Sequence, residues 1–339
     1  MLKKRHFPRI QIFGAALLAF GAASCAAQNA PTTTAAAQNA AAPTATVAAT
    51  PVEDGATLRV YTVGNSVTDA LNHTQFSKLL QGATEKPIVA RQMIPGAPLE
   101  WLWNHPNDGF MQKPYGYPTS AFPLYKWDAI TLQPFDRGLE SDLKFASNYI
   151  DLALQNPANK STKFYIYQRW PRMVGLDGKG VKFDRNNYGK ELNDPTKITD
   201  YKQLKTWEEL FTAPYTKGHN NTNESADYAV KLTQALREKY PDLTIQMIPV
   251  GAVLLELDKK MRAGEVEGHT TAWDFYTDGI HMGPAGSYVV GTTFYAAITG
   301  KSPVGLPAEG YKVSDPKLAK LIQETAWKVV RETPLSGVK

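Results

Sequence analysis

Five short runs of β-branched and aromatic residues, each followed by a turn or a stretch of helical periodicity, constrain this chain more than any other feature. They lie at 58–63, 88–93, 129–133, 164–168 and 244–249. Helix-like stretches lie between them at 70–81, 139–155 and 225–239, and 253–263, 284–299 and 316–331 follow. The clearest is 225–239, where Ala229, Leu232, Ala235 and Leu236 recur at helical spacing and Pro241 halts the pattern. Such alternation buries strands by pairing them in parallel and covering both faces with helices through right-handed crossovers. The chain is therefore expected to form an α/β domain with a five-stranded parallel sheet and no internal repeat.

The region ahead of the first strand has another character. Lys3, Lys4, Arg5 and Arg9 precede an apolar run at 10–20 that is too short for a comfortable membrane span. Gly21-Ala22-Ala23-Ser24 then lead to Cys25, the sole cysteine. This is the layout of an export signal, of the lipoprotein type if the Cys25 thiol is acylated after cleavage. Ala22 stands where such signals usually carry leucine, and ordinary cleavage nearby is the alternative. Lipidation at Cys25 would tether the protein to a membrane surface, and a lone cysteine permits no intramolecular disulfide. Residues 26–54 are mostly Ala, Thr, Pro, Asn and Gln, too poor in large apolar side chains to offset the entropy of folding. They are expected to be a disordered stalk on a periplasmic or cell-surface protein, with 55–339 as one large domain.

The net charge of +5 reduces to +1 outside the signal, whose four basic residues face no acid. With no Lys/Arg-rich run in the body, nothing argues for a nucleic-acid partner. Residues 172–223 are rich in Asp, Asn, Lys, Gly and Tyr and hold no sustained apolar period outside 204–211. They are expected to form a long insertion over the active-site end of the sheet, disorder being the alternative.

Ligands of open parallel sheets sit beyond the carboxyl ends of the strands. Gly64-Asn65-Ser66-Val67-Thr68 follows the first strand directly and puts a serine there. Gly64 allows a sharp turn, and Thr68 or Asp69 could cap the next helix. A plain capping serine would look the same, and the G-x-S-x-G elbow is absent because Thr68 stands two residues after Ser66. Late in the chain, Asp278-Gly279-Ile280-His281 lies in a Gly/Pro-punctuated loop. A carboxylate three residues ahead of an imidazole can hold its Nδ1 and leave Nε2 free to take a hydroxyl proton. Serine alone is a weak nucleophile, and these two segments together supply the base and the orienting acid it needs. Ser66, His281 and Asp278 are the expected catalytic residues of a serine esterase.

Both segments resemble the SGNH (GDSL-like) hydrolases, with Gly64-Asn65-Ser66 in place of Gly-Asp-Ser, as in some branches of that superfamily. Asp278-Gly279-Ile280-His281 and Gly283-Pro284-Ala285-Gly286 match its last block. The resemblance covers about residues 57–305 and implies a three-layer α/β/α, flavodoxin-like fold. It also implies an oxyanion hole made from the Ser66 and Gly96 amides and a side-chain amide after the third strand. There Thr131-Leu132-Gln133-Pro134 replaces the usual Gly-x-Asn, so Gln133 is the candidate donor.

Arg169 and Trp170 end the fourth strand, where an arginine could pair with a uronate or sulfate and a tryptophan could stack on a sugar. Packed aromatics with surface arginines would read alike, and Trp101 and Trp103 could be pocket wall or core. His269, Asp274, Asp278 and His281 match no tight metal-ligand spacing, and no cofactor is called for. His73 reads as structural, and His219 is uninformative. Export, stalk and aromatic content together point to an acylated poly- or oligosaccharide as substrate, with removal of O-acetyl groups the expected reaction. Lipid or small aryl esters, acetyl transfer between sugars, and a non-catalytic glycan-binding or envelope-assembly role are the alternatives.

Overall fold

In the computed structural model, residues 54–181 and 201–339 are described. The expected export signal, Cys25, nearly all of the stalk and residues 182–200 of the expected insertion lie outside them. The strands are β1 (Leu58–Gly64), β2 (Pro87–Met93), β3 (Phe110–Met111), β4 (Ala129–Leu132), β5 (Lys163–Gln168) and β6 (Thr244–Pro249). They form one six-stranded sheet in the order β3-β2-β1-β4-β5-β6. All pairings are parallel except that of β3 with β2. The five expected strands are present, and the sheet gains a sixth. Two residues are too few to carry a strand period, so β3 left no trace in the sequence.

The helices are α1 (Ser66–Asp69), α2 (His73–Leu80), α3 (Leu99–Asn104), α4 (Pro118–Leu124), α5 (Leu139–Leu154), α6 (Trp207–Thr212), α7 (Ala226–Lys239), α8 (Val250–Arg262), α9 (Pro284–Thr299) and α10 (Pro316–Glu332). Successive strand residues point to opposite faces, and helices cover both. Val60, Val89, Tyr165 and Ile248 pack with Leu254, Val290 and Ile322 of α8, α9 and α10. Tyr61, Ala90, Ile130 and Ile166 pack with Leu102, Phe122, Ile150 and Leu232 of α3, α4, α5 and α7. Each large apolar side chain so buried contributes about 1.5–3 kcal/mol. The single helix expected at 70–81 is broken ahead of α2 by Asn72, whose φ of 49° ends one helix and whose side chain caps the next. Asparagine tolerates that left-handed backbone better than most residues.

Part of the expected insertion packs inward. Met173, Val174, Leu204, Trp207 and Phe211 are buried in the core shared with α8 and α9. Trp207 donates through Nε1 to the Tyr276 hydroxyl at 2.9 Å.

His73 lies beneath the sheet end, with Nε2 2.8 Å from Thr62 Oγ1 and Nδ1 3.3 Å from the Arg91 guanidinium. Burial, and then the positive charge of Arg91, push its pKa down to about 3 from 6.5. The unfolded chain therefore takes up a proton that the native state refuses. The associated stability is complete above about pH 6.5 and is lost as pH falls toward 3. Unfolding free energies from urea titrations should fall by up to about 1.4 kcal/mol for each pH unit of acidification across that window in the wild type. They should fall less steeply in His73→Gln; equal slopes would contradict the assignment.

Candidate active site

Where β1 ends, the chain has no room for a side chain at Gly64. A Cβ there would sit 2.0 Å from Thr68 Oγ1 and 2.7 Å from Gln133 Oε1. Asn65, fully buried, then caps α1: its Oδ1 accepts from Val67 N at 3.0 Å. Its Nδ2 donates to Ala97 O at 3.0 Å, tying the serine turn to the loop after β2. Ser66 follows as the first residue of α1, in a crevice flanked by the β2 and β4 loops.

The partner segment is a closed hairpin. Thr277 N donates to His281 O at 2.8 Å, Gly283 N donates to Phe275 O at 2.7 Å, and Tyr276 bridges Met282. At its tip, Asp278 Oδ1 accepts from Ile280 N at 2.8 Å and His281 N at 2.7 Å. Its Oδ2 lies 2.6 Å from His281 Nδ1, and His281 Nε2 lies 2.9 Å from Ser66 Oγ. Burial raises the Asp278 pKa, but the hydrogen bonds from His281 and Ile280 outweigh it and bring the value down to about 2. Asp278 is thus a carboxylate at any ordinary pH. It favours the tautomer with a proton on Nδ1 and a lone pair on Nε2 toward the hydroxyl, the arrangement that removes a serine proton.

Of the three expected oxyanion donors, two are open. Neither Ser66 N nor Gly96 N has an acceptor among the described residues. Gly96 is exposed, with a φ of +69° that glycine adopts without strain. Gln133 does something else. It is fully buried, and its Oε1 accepts from Asn65 N at 3.0 Å and Thr68 Oγ1 at 2.7 Å, while Nε2 donates to Pro134 O at 3.3 Å. The longer side chain folds under the turn and props it up instead of reaching substrate.

Arg169 and Trp170 also act from behind the site. Arg169 is 3% exposed and donates to Glu224 Oε1 at 2.8 Å, with its guanidinium over the Phe135 ring at 4.7 Å. Buried Glu224 also accepts from Arg172 N at 2.6 Å, and Arg172 reaches on to Asp136. Both arginines are therefore committed to an internal ion network, not to substrate. Trp170 is fully buried; it forms part of a cavity wall, but its Nε1 donates to Ile280 O at 2.6 Å. Met173 N donates to Gly279 O at 2.8 Å. Two consecutive carbonyls of the Asp278–His281 loop are thus held by the segment after β5. No local motif announces this support, because it depends on residues about a hundred positions away in the chain.

Trp101 is 49% exposed and stacks on His105 at 3.9 Å, whereas Trp103 is partly buried edge-on to Tyr149. Asp274 caps the short turn at 272–275, and His269 packs edge-on to Phe275. Among the described residues, no group of three or more His, Cys, Asp or Glu side chains is placed to hold a metal ion. Beside Ser66 and His281 lies a cavity of about 370 Å³, bounded also by Ala70, Asn72, Ser287 and residues 310–312.

No family model matches the chain, and no curated protein matches its sequence. Solved structures do. A DUF4886 family protein from Bacteroides uniformis aligns over 83% of this chain and 99% of its own, at 17% identity and a TM-score of 0.50. A protein from Slackia heliotrinireducens, described provisionally as an SGNH hydrolase, aligns over 70% and 97% at 18% identity and a TM-score of 0.38. One from Bacteroides fragilis, described provisionally as an acylhydrolase, aligns over 77% and 92% at 13% identity and a TM-score of 0.35. The first is alike in fold. At these identities, activity does not pass from any of them to this chain.

Gln133→Leu tests the role of that side chain. As a prop, its loss leaves Asn65 N and Thr68 Oγ1 without their acceptor, which should lower unfolding free energy by at least about 1–3 kcal/mol. A direct oxyanion donor would instead cost about 10²–10³ in kcat with stability unchanged. Thermal unfolding and esterase assays of the same preparation separate the two. Trp170→Phe keeps an aromatic side chain but removes the donor to the Ile280 carbonyl, and should destabilise the protein by at least about 1–3 kcal/mol with kcat reduced. Wild-type stability and kcat in that variant would contradict the support assigned to Trp170.

Proposed function

We propose that this protein is a serine esterase that removes acyl groups, foremost O-acetyl groups, from carbohydrate through an acyl-enzyme. One observation carries the reading: a single line of contacts, 2.9 Å and 2.6 Å long, joins Ser66 Oγ through His281 to Asp278. In the proposed reaction Ser66 Oγ attacks the ester carbonyl while His281 Nε2 takes its proton. The Ser66 and Gly96 amides face the developing oxyanion. As the tetrahedral intermediate collapses, the carbonyl–alkoxy bond breaks and His281 returns the proton to the departing alcohol. Water, deprotonated by the same imidazole, then attacks the acyl-Ser66 carbonyl and releases the acid.

The cavity beside His281 suits the alcohol half, because the leaving oxygen must come within reach of Nε2 to be protonated. Asn72, Thr277 and Ser287 give its wall hydrogen-bonding groups, which favours a polyhydroxylated alcohol. Strand order, with the parallel strands running second, first, third, fourth, fifth, supports the flavodoxin-like reading of the sheet. Export and a membrane tether at Cys25 rest on the sequence of the leader.

Hydrolysis of para-nitrophenyl esters should be fastest for acetyl and decline with chain length, and acetylated glycans should release acetate. Ser66→Ala should abolish both activities. Asp278→Asn should lower kcat on the order of 10³–10⁴-fold, as expected when the orienting carboxylate of a triad is neutralised. Preference for long acyl chains would favour a lipid substrate, and full activity in Ser66→Ala would overturn the mechanism.

A further inference from the structure

Resting on that esterase reading, we infer that the alcohol half of the substrate carries an anionic group, and that Lys312 recognises it. Three acidic or basic side chains line the cavity beside the nucleophile: Asp69, His281 and Lys312. Two already have partners. Asp69 is ion-paired with Arg91 at 2.5 Å, and His281 with Asp278 at 2.6 Å. Lys312 is exposed and has no acidic partner among the described residues, so it is the unbalanced charge of the lining.

Its position is fixed by the fold. The backbone of Lys312 turns into the left-handed region, with φ 61° and ψ 30°, to close the short helix at 309–311. A lysine there is uncommon, since glycine or asparagine meets the same need with less strain. The preceding residue anchors the turn to the nucleophile's own side of the crevice: Tyr311 OH donates to Leu71 O at 2.9 Å. Gly310 lies so close to α2 that a Cβ would come within 2.1 Å of Gln75 Oε1. The segment is thus fastened against the α1–α2 turn with its cation at the cavity rim. Arg169, the cation expected from sequence to meet an acidic sugar, and its neighbour Arg172 are absorbed by Glu224 and Asp136. That leaves Lys312 as the positive charge on the side where the leaving alcohol must sit.

A carboxylate, as in a uronate, and a sulfate ester present the same chemistry to an ammonium. The experiment compares kcat/KM for acetyl esters of a neutral methyl glycoside, the matching methyl uronate and the matching sulfated glycoside, with para-nitrophenyl acetate as reference. The wild type should favour one or both anionic substrates over the neutral one by about tenfold, the scale of a charge-assisted hydrogen bond. The preference should shrink as salt rises from about 0.05 to about 0.5 M. Lys312→Met should bring the anionic-to-neutral ratio near one, and Lys312→Glu should invert it. Preference for the uronate alone or the sulfate alone would identify the source of the charge. A wild-type ratio near one, or a ratio untouched by both substitutions, would overturn the inference while para-nitrophenyl acetate is still cleaved. Loss of para-nitrophenyl acetate cleavage in the wild type would instead remove the esterase reading beneath it.

Discussion

The Asp278 carboxylate accepts three hydrogen bonds from its own loop, two at Oδ1 from the Ile280 and His281 amides and one at Oδ2 from the His281 ring. Burial works against its charge, and those donors more than compensate. The same bonds that keep the acid ionised also shape the tight turn and orient the imidazole. Electrostatics and geometry are therefore one feature here, not two. With Nδ1 engaged, the other nitrogen of His281 faces Ser66 Oγ at 2.9 Å.

That loop is precise because it is held from outside. Trp170 and Met173 take up the carbonyls of Ile280 and Gly279, and Arg169 and Arg172 converge on buried Glu224 behind them. A buried ion pair adds little net stability but is costly to break, since it leaves an uncompensated charge. Its value here lies in fixing where the segment after β5 runs, and so where the Asp278–His281 hairpin sits. On the opposite side, Gln133 and Asn65 secure the serine turn through buried amides. Each half of the site rests on buried polar side chains, Arg169 and Glu224 on one side and Asn65 and Gln133 on the other.

How much of this was legible in the sequence follows from how local each signal is. The five long strands and most helices declared themselves, because alternation and helical spacing are properties of neighbouring residues. Ser66, Asp278 and His281 were legible for the same reason: each sits in a short segment with its own turn chemistry. The roles of Gln133, Arg169 and Trp170 were misread, because a residue at a strand end can turn toward ligand or toward the interior. What decides between them is a partner far away in sequence, Glu224 for Arg169 and Ile280 for Trp170. Lys312 escaped notice altogether, being one lysine in a polar turn until the fold brings it beside the cavity. The edge strand β3 was invisible by length alone.

The central claim is that Ser66 is chemically activated by its contact with His281. It is tested most directly by reacting the folded protein with a fluorophosphonate and mapping the adduct by peptide mass spectrometry. One phosphonyl group on the peptide containing Ser66, absent after unfolding the protein beforehand, is the result this account predicts. A protein that stays unmodified, or carries the label on another side chain, would contradict it.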